Sequence, residues 1–220
     1  MNRIRLDGAR IALREWNSSD LDAMFRQMGD ADVVRYLSWG RLTRAQCRER
    51  LRGFIADQHN CSNRPWPRRL GKSRILRAIR RRILTRKNGS PAGCVGGARC
   101  NRERYHLAVE LKASGSVIGE AGFEWKAERR AEIGYFFEAK FWGLGYATEA
   151  ARLVIEFAFN TLNADEVVAS CDARNLASAR VMLKCGLKTI DSDIHDSPII
   201  MSLSRQEWLN PSEAPTPAHR

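Results

Sequence analysis

Residues 141–150 read Phe-Trp-Gly-Leu-Gly-Tyr-Ala-Thr-Glu-Ala, a string whose chemistry belongs mainly to its backbone. Gly143, Gly145 and Ala147 stand at alternate positions, so the chain there turns tightly and lets a ligand approach the main chain. The string follows a strand-like run and opens a helix-like one. The free N–H groups of the first helical turn therefore point outward with the positive end of the helix dipole, an arrangement that suits a pyrophosphate. No Lys follows the glycines and the G-x-G-x-x-G spacing is absent, which argues against a P-loop and against a dinucleotide fold. A second polar start lies at Asn175 and Ser178, where Asn175 is placed to cap a helix and Ser178 to occupy its first turn.

The flanking elements must hold these two helix starts side by side. Arg10 to Trp16 alternates as a half-buried strand does. Ser19-Asp20-Leu21-Asp22 and Thr43-Arg44-Ala45-Gln46 read as capping boxes for two helices, the first ending at Gly29 and the second burying Cys47, Leu51, Phe54 and Ile55. Tyr105 to Leu111, Val117 to Trp125 and Ala131 to Phe137 form a three-stranded meander. Gly143 to Leu162 is a long helix with a small apolar face, Val167 to Cys171 a buried strand, and Asn175 to Cys185 a helix stopped by Gly186. Leu187 to Ile190 and Ile199 to Leu203 are two last strands. The predicted class is α/β with a mixed sheet in a single domain over 1–209, followed by a disordered tail over 210–220.

The composition permits such a domain: 220 residues, 44% apolar, and no apolar run long enough to span a membrane. No secretory signal is visible, so a cytoplasmic location is the expectation. The six cysteines have no zinc-ligand spacing and read as reduced thiols. The net charge of +12 is unevenly spread, because residues 61–104 hold fourteen Lys/Arg and one acid while the remainder holds 23 bases and 24 acids. Within that basic stretch Ile75, Leu76, Ile79 and Ile83 recur at helical spacing, which predicts a short amphipathic helix in a flexible insertion. Residues 64–104 are either an Arg-rich insertion without a specific partner or a surface for nucleic acid, a ribosome or an anionic membrane.

The decapeptide resembles the coenzyme A-binding motif of the GNAT acetyltransferases, [QR]-x-x-G-x-[GA], with Trp142 in the place of the usual Gln or Arg. The form W-G-x-G-Y-A-T-E-A resembles the branch that includes the ribosomal-protein alanine N-acetyltransferases. The string from Asn175 to Leu187 is similar to that family's N-x-x-S-x-R-V-x-x-K-x-G-F. The resemblance covers residues 105–203 well and 10–60 weakly. It implies a GNAT fold, and transfer of an acetyl group from acetyl-coenzyme A to a primary amine, a protein N-terminus among the candidates, without a metal. It further implies that Phe136, Phe137, Trp142, Gly143, Leu144, Gly145, Tyr146, Ala147, Thr148, Asn175 and Ser178 line the cofactor site. The thioester carbonyl would lie against backbone near Phe136 to Glu138. Glu132 and Glu124 are candidate bases for the amine, with a water chain to bulk solvent as the alternative; each would otherwise be the water-facing member of an alternating strand. The resemblance implies a Tyr after the start of the last helix as thiolate acid; no Tyr follows Tyr146, which leaves Ser178, as in this branch, or no dedicated acid. His59, His106, His195 and His219 stand outside any motif and read as surface residues.

Overall fold

In the computed structural model, which describes residues 4–59, 102–127, 129–191 and 198–210, alternating apolar runs pair into one eight-stranded sheet. The strands are β1 (Arg5–Asp7), β2 (Ile11–Glu15), β3 (Arg104–Leu111), β4 (Val117–Ala127), β5 (Arg130–Phe137), β6 (Glu166–Cys171), β7 (Lys188–Asp191) and β8 (Ile199–Ser204). Their spatial order is β1-β2-β3-β4-β5-β6-β8-β7, and every adjacent pair is antiparallel except β5 with β6. The helices are α1 (Leu21–Met28), α2 (Ala31–Val34), α3 (Arg44–His59), α4 (Tyr146–Glu156), α5 (Leu176–Lys184) and α6 (Arg205–Leu209).

The period-two pattern decides which face of the sheet meets which helix. Tyr105, Leu107, Ala121, Phe123, Ala131 and Ile133 share a buried cluster with Ala150, Val154 and Ala158, so this face packs on α4. On the opposite face Ala108 and Val117 join Trp16, Met24, Met28, Cys47, Leu51 and Phe54, so α1 and α3 cover it. The α/β mixed sheet read from the sequence is the one observed. Cys47, Cys171 and Cys185 are free and buried, and burial pushes the Cys185 thiol up to about 11, as suits a core residue rather than a nucleophile.

Several boundaries differ from the sequence reading. The first capping box is made by Asn17, whose side chain accepts from Ser19 N while Asp20 returns to the Asn17 backbone, rather than by Ser19. The second is made by Thr43 and Gln46 as read. The long helix starts at Tyr146, and its last turn, Phe157–Thr161, widens to π geometry. Strand β1 and helix α6 were not foreseen, although Ser204 and Glu207 form a capping box at α6. Within the stretch read as a basic insertion, Glu103 O accepts from Trp125 N at 2.9 Å and Arg104 opens β3. The Arg102 guanidinium is buried, pairs with Glu15 at 2.7 Å and stacks over Tyr105. The rest of that insertion, with its predicted helix, and the tail from Pro211 lie outside the described residues, as do His195 and His219.

Gly122 sits where β3 and β4 press closest, since a Cβ there would lie 1.7 Å from the Tyr105 carbonyl oxygen. Two paired backbones cannot yield by that much. Gly122→Ala should cost on the order of 3 kcal/mol or more, lowering the melting temperature by about 10 °C. A thermal melt within about 2 °C of the parent protein would count against this packing.

Candidate functional site

Strands β5 and β6 run parallel only briefly. Their pairing covers Arg130 with Glu166, Ala131 with Val167 and Glu132 with Val168, and then stops. Strand β5 continues to Phe137 on its other edge, paired with β4, while β6 continues to Cys171 paired with β8. The two strands therefore diverge beyond Glu132, and the β5 edge over residues 133–137 has no strand partner on that side. Open main-chain groups facing a cleft are available to a ligand.

The cradle lies at the end of β5. Gly143 has φ +75° and Gly145 φ +83°, in the left-handed region where a side chain is strained. Gly145 is the N-cap of α4 and brings no side chain to cap it, so the N–H groups of the half-buried first turn, Tyr146 to Thr148, have no side-chain cap. Trp142 closes the approach: its Nε1 donates to Phe137 O at 2.8 Å, which ties the loop to the end of β5. Half of the Trp142 and Leu144 surface remains exposed, an apolar rim without a covering partner among the described residues.

One clamp was invisible in the sequence. Glu149 accepts from Arg10 N at 2.8 Å, Arg10 Nε at 2.9 Å and Ile11 N at 3.3 Å. Arg10 Nη1 in turn donates to Leu144 O at 2.9 Å, and its guanidinium lies 4.5 Å over the Tyr146 ring. Burial pushes the Glu149 carboxyl upward, but the donors from Arg10 and Ile11 outweigh it and hold its pKa below the ordinary value. Arg10 and Glu149 are 139 residues apart, so only the folded register shows that the start of β2 fixes the cradle.

The second helix start faces the same cleft. The Asn175 side chain accepts from Ser178 N at 3.1 Å, the cap read from the sequence. The Ser178 hydroxyl is 3.1 Å from the hydroxyl of Tyr135, which also lies 3.1 Å from Ser178 O. Tyr135 sits on the diverging part of β5, and burial raises its pKa well above the usual phenol value. The hydroxyl beside Ser178 thus belongs to β5, before Tyr146 in the chain rather than after it.

Glu132 lies at the last paired position of β5. Its carboxylate accepts from Ser170 Oγ at 3.0 Å and pairs with Lys126 at 3.2 Å, so it is not simply water-facing. Lys126 also pairs with Glu124 at 2.8 Å. Burial raises the Glu124 pKa and that hydrogen bond, with the nearby cations, brings it net lower. His106 is not a surface residue: it stacks on Phe54 with ring centroids 4.2 Å apart, its Nδ1 meets Glu120 at 2.8 Å and its Nε2 lies 3.7 Å from Glu124. The backbone of His59 ends α3.

Comparison with known proteins agrees with this geometry. An acetyltransferase (GNAT) domain model matches residues 97–188. An uncharacterized N-acetyltransferase of Bacillus subtilis, YnaD, is 34% identical over 180 residues, which cover 81% of this chain and 79% of that protein. The chain belongs to the GNAT acetyltransferase family. The FsC-acetyl coenzyme A-N(2)-transacetylase of Aspergillus fumigatus is 36% identical over 90 residues, covering 36% of this chain and only 38% of that longer protein. The ribosomal-protein-S5-alanine acetyltransferase of Vibrio fischeri shares the fold, with a TM-score of 0.62 at 14% identity over 93% of this chain and 98% of its own. As a GNAT protein this chain is an acyltransferase, and enzymes of the family use acetyl-coenzyme A as co-substrate. Among the described residues no helix is long and apolar enough to cross a membrane.

The clamp on the GNAT loop can be measured. Glu149→Gln leaves the two backbone donors with a weaker acceptor and breaks the ion pair, at an expected cost of about 1–2 kcal/mol at pH 7. Because the folded carboxyl has a lowered pKa, its contribution is full above the ordinary value of about 4.3 and is lost as pH falls through the folded value. Urea melts of both proteins should therefore differ from pH 7 down to about 5 and converge below it; a constant gap down to the most acidic measurable pH would remove the carboxylate as its cause.

Proposed function

We propose that this enzyme moves an acetyl group from acetyl-coenzyme A directly to a primary amine, with the pyrophosphate on the start of α4 and the thioester in the cleft between β5 and β6. The observation that carries this reading is the uncapped α4 start, held by the left-handed Gly145 beside the diverging strands. The N–H groups of Tyr146, Ala147 and Thr148 offer donors to phosphate oxygens, while Trp142, Gly143 and Leu144 form the rim. Asn175 and Ser178 line the opposite wall, and on the unpaired edge of β5 the Phe137 N–H, next to Phe136, offers a backbone donor to the thioester oxygen as negative charge builds on it.

The proton inventory fits the residues present. Glu132 stands at the mouth of the divergence and serves as the base that takes a proton from the acceptor's ammonium. Ser178 donates to the departing sulfur. Its partner Tyr135 has one hydroxyl hydrogen, which it can turn from the Ser178 carbonyl to the Ser178 Oγ as that oxygen gives its own hydrogen to the thiolate. The raised phenol pKa keeps Tyr135 protonated and able to donate. The W-G-x-G-Y-A-T-E-A string supports the ribosomal-protein branch and, with it, a protein N-terminus as one candidate acceptor.

Two measurements test the reading. Isothermal calorimetry should show acetyl-coenzyme A binding that Gly145→Glu abolishes, because the new carboxylate would strain the left-handed backbone and repel the pyrophosphate; equal affinity in both proteins would move the cofactor elsewhere. Steady-state transfer should fall roughly 100-fold in Glu132→Gln and about tenfold in Ser178→Ala, with acetyl-coenzyme A affinity unchanged. Unaltered turnover in Ser178→Ala would leave Ser178 as a capping residue only.

A further inference from the structure

One cluster of titratable side chains plays no part in that scheme. On the face of the sheet covered by α1 and α3, Glu120, His106 and Glu124 converge, with the imidazole between the two carboxylates at 2.8 Å and 3.7 Å. Glu120 is only 5% exposed, and its Oε2 has no hydrogen-bond partner among the described residues. A carboxylate oxygen taken out of water without a donor is costly to keep, and a cation bound against it removes the cost. Gln27, on the sheet-facing side of α1, is fully buried with both side-chain amide atoms equally unpartnered. Among the described residues no group of three or more His, Cys, Asp or Glu is placed to hold a metal ion, so the missing partner is better an organic cation.

Between this cluster and the cleft the strand positions carry no side chain, and Gly122 among them is buried. His106 is paired with Gly122, and Gly122 with Gly134, so the three lie in one row across β3, β4 and β5. Gly134 is exposed, and a Cβ there would meet nothing within 4 Å. It stands between Glu132 and Phe136 on the same face, beside the point where β5 and β6 part. Two strand spacings, roughly 10 Å, separate its backbone from that of His106. Beside this row stand Glu120 and the carboxylates Glu124 and Glu132, the last two paired with Lys126. Arg104 is engaged by Asp57, and the Arg50 guanidinium is stacked over Trp39 and Phe54 at 4.3 Å and 5.2 Å.

We infer that the acceptor is a small amine bearing a second positive charge, a diamine, whose distal ammonium docks on Glu120 beside His106 and Glu124 while its reacting nitrogen lies over Gly134 next to Glu132. The inference rests on the acetyl-transfer reading above and names its acceptor. The reacting ammonium gives one proton to Glu132. Its nitrogen then bonds to the acetyl carbon, the carbon–sulfur bond breaks, and the thiolate takes a proton from Ser178, which recovers one from the nitrogen through solvent. The products are the mono-acetylated diamine and coenzyme A, and the distal ammonium keeps its protons throughout.

Three acceptors of equal chain length isolate the distal charge: 1,5-diaminopentane, pentylamine and 5-aminopentanoate. Release of coenzyme A should give kcat/KM at least tenfold higher for the diamine than for pentylamine, and lowest for 5-aminopentanoate. Glu120→Gln, which keeps the shape of the side chain, should erase the preference for the diamine mainly through KM, and calorimetry should show acetyl-coenzyme A binding unchanged. Equal rates for the three acceptors, a preference for 5-aminopentanoate, a preference that survives in Glu120→Gln, or transfer to none of them by protein that still binds acetyl-coenzyme A would each overturn the inference. Absence of acetyl-coenzyme A binding would instead remove the acetyl-transfer reading itself. Should Glu120→Gln not fold, the ranking of the three acceptors by the parent protein decides alone.

Discussion

The rest of this structure depends on the early end of the pairing between β5 and β6. After Glu132 and Val168 the strands separate, and a sheet that would otherwise be continuous gains a cleft lined with main-chain groups. Unpaired backbone in a protein interior is unfavourable, so something must hold the strands apart. Each is retained by its other neighbour, β5 by β4 up to Phe137 and β6 by β8 up to Cys171. Across the gap the Tyr135 side chain reaches the start of α5, so its two contacts with Ser178 do the bridging that strand pairing does elsewhere.

That divergence also explains why the loop before α4 needs glycine. The chain leaving β5 must turn back over the cleft within a few residues, through the short helical turn Ala139–Phe141 and two left-handed positions, before α4 begins. The turn is stabilised from both sides, by the Trp142 indole on Phe137 O and by Arg10 on Leu144 O. Glu149 fixes Arg10 by accepting from its backbone and its side chain together, so the start of the second strand and the first turn of α4 form one unit.

Local signals were legible in the sequence and long-range ones were not. The cradle string, the Asn175 cap, the meander and the stop at Gly186 each depend on residues within about a turn or a hairpin of one another, and period and propensity report on that scale. The Arg10–Glu149 clamp, the Tyr135–Ser178 pair and the His106–Glu120 contact depend on strand register and on which strands are neighbours. His106 illustrates the point. As one polar residue in an alternating strand it reads as water-facing, and only the placement of α3, with Phe54 over its ring, turns it inward. Arg102 was misread for the same reason, because its charge matched the basic run before it while its guanidinium belongs to Glu15.

The two faces of the sheet carry opposite electrostatics, and that asymmetry suits a transfer between two substrates. Towards α4, the cleft ends in the uncapped N–H groups of a helix start, with Arg10 behind them, a setting that favours an anion. Towards α1 and α3, the same strands present Glu120, Glu124 and Glu132, which favour a cation. In the proposed scheme the anionic donor and the cationic acceptor approach from opposite faces and meet where β5 and β6 part. Period-two alternation makes this possible with one strand: on β5, Tyr135 turns to Ser178 on the donor side while Glu132 turns to Lys126 and Ser170 on the other. A slip of one residue in the β3–β4 register would turn Glu120 and Glu124 to the pyrophosphate side. The register set by Gly122 against Tyr105 is therefore a condition of the chemistry as well as of the fold.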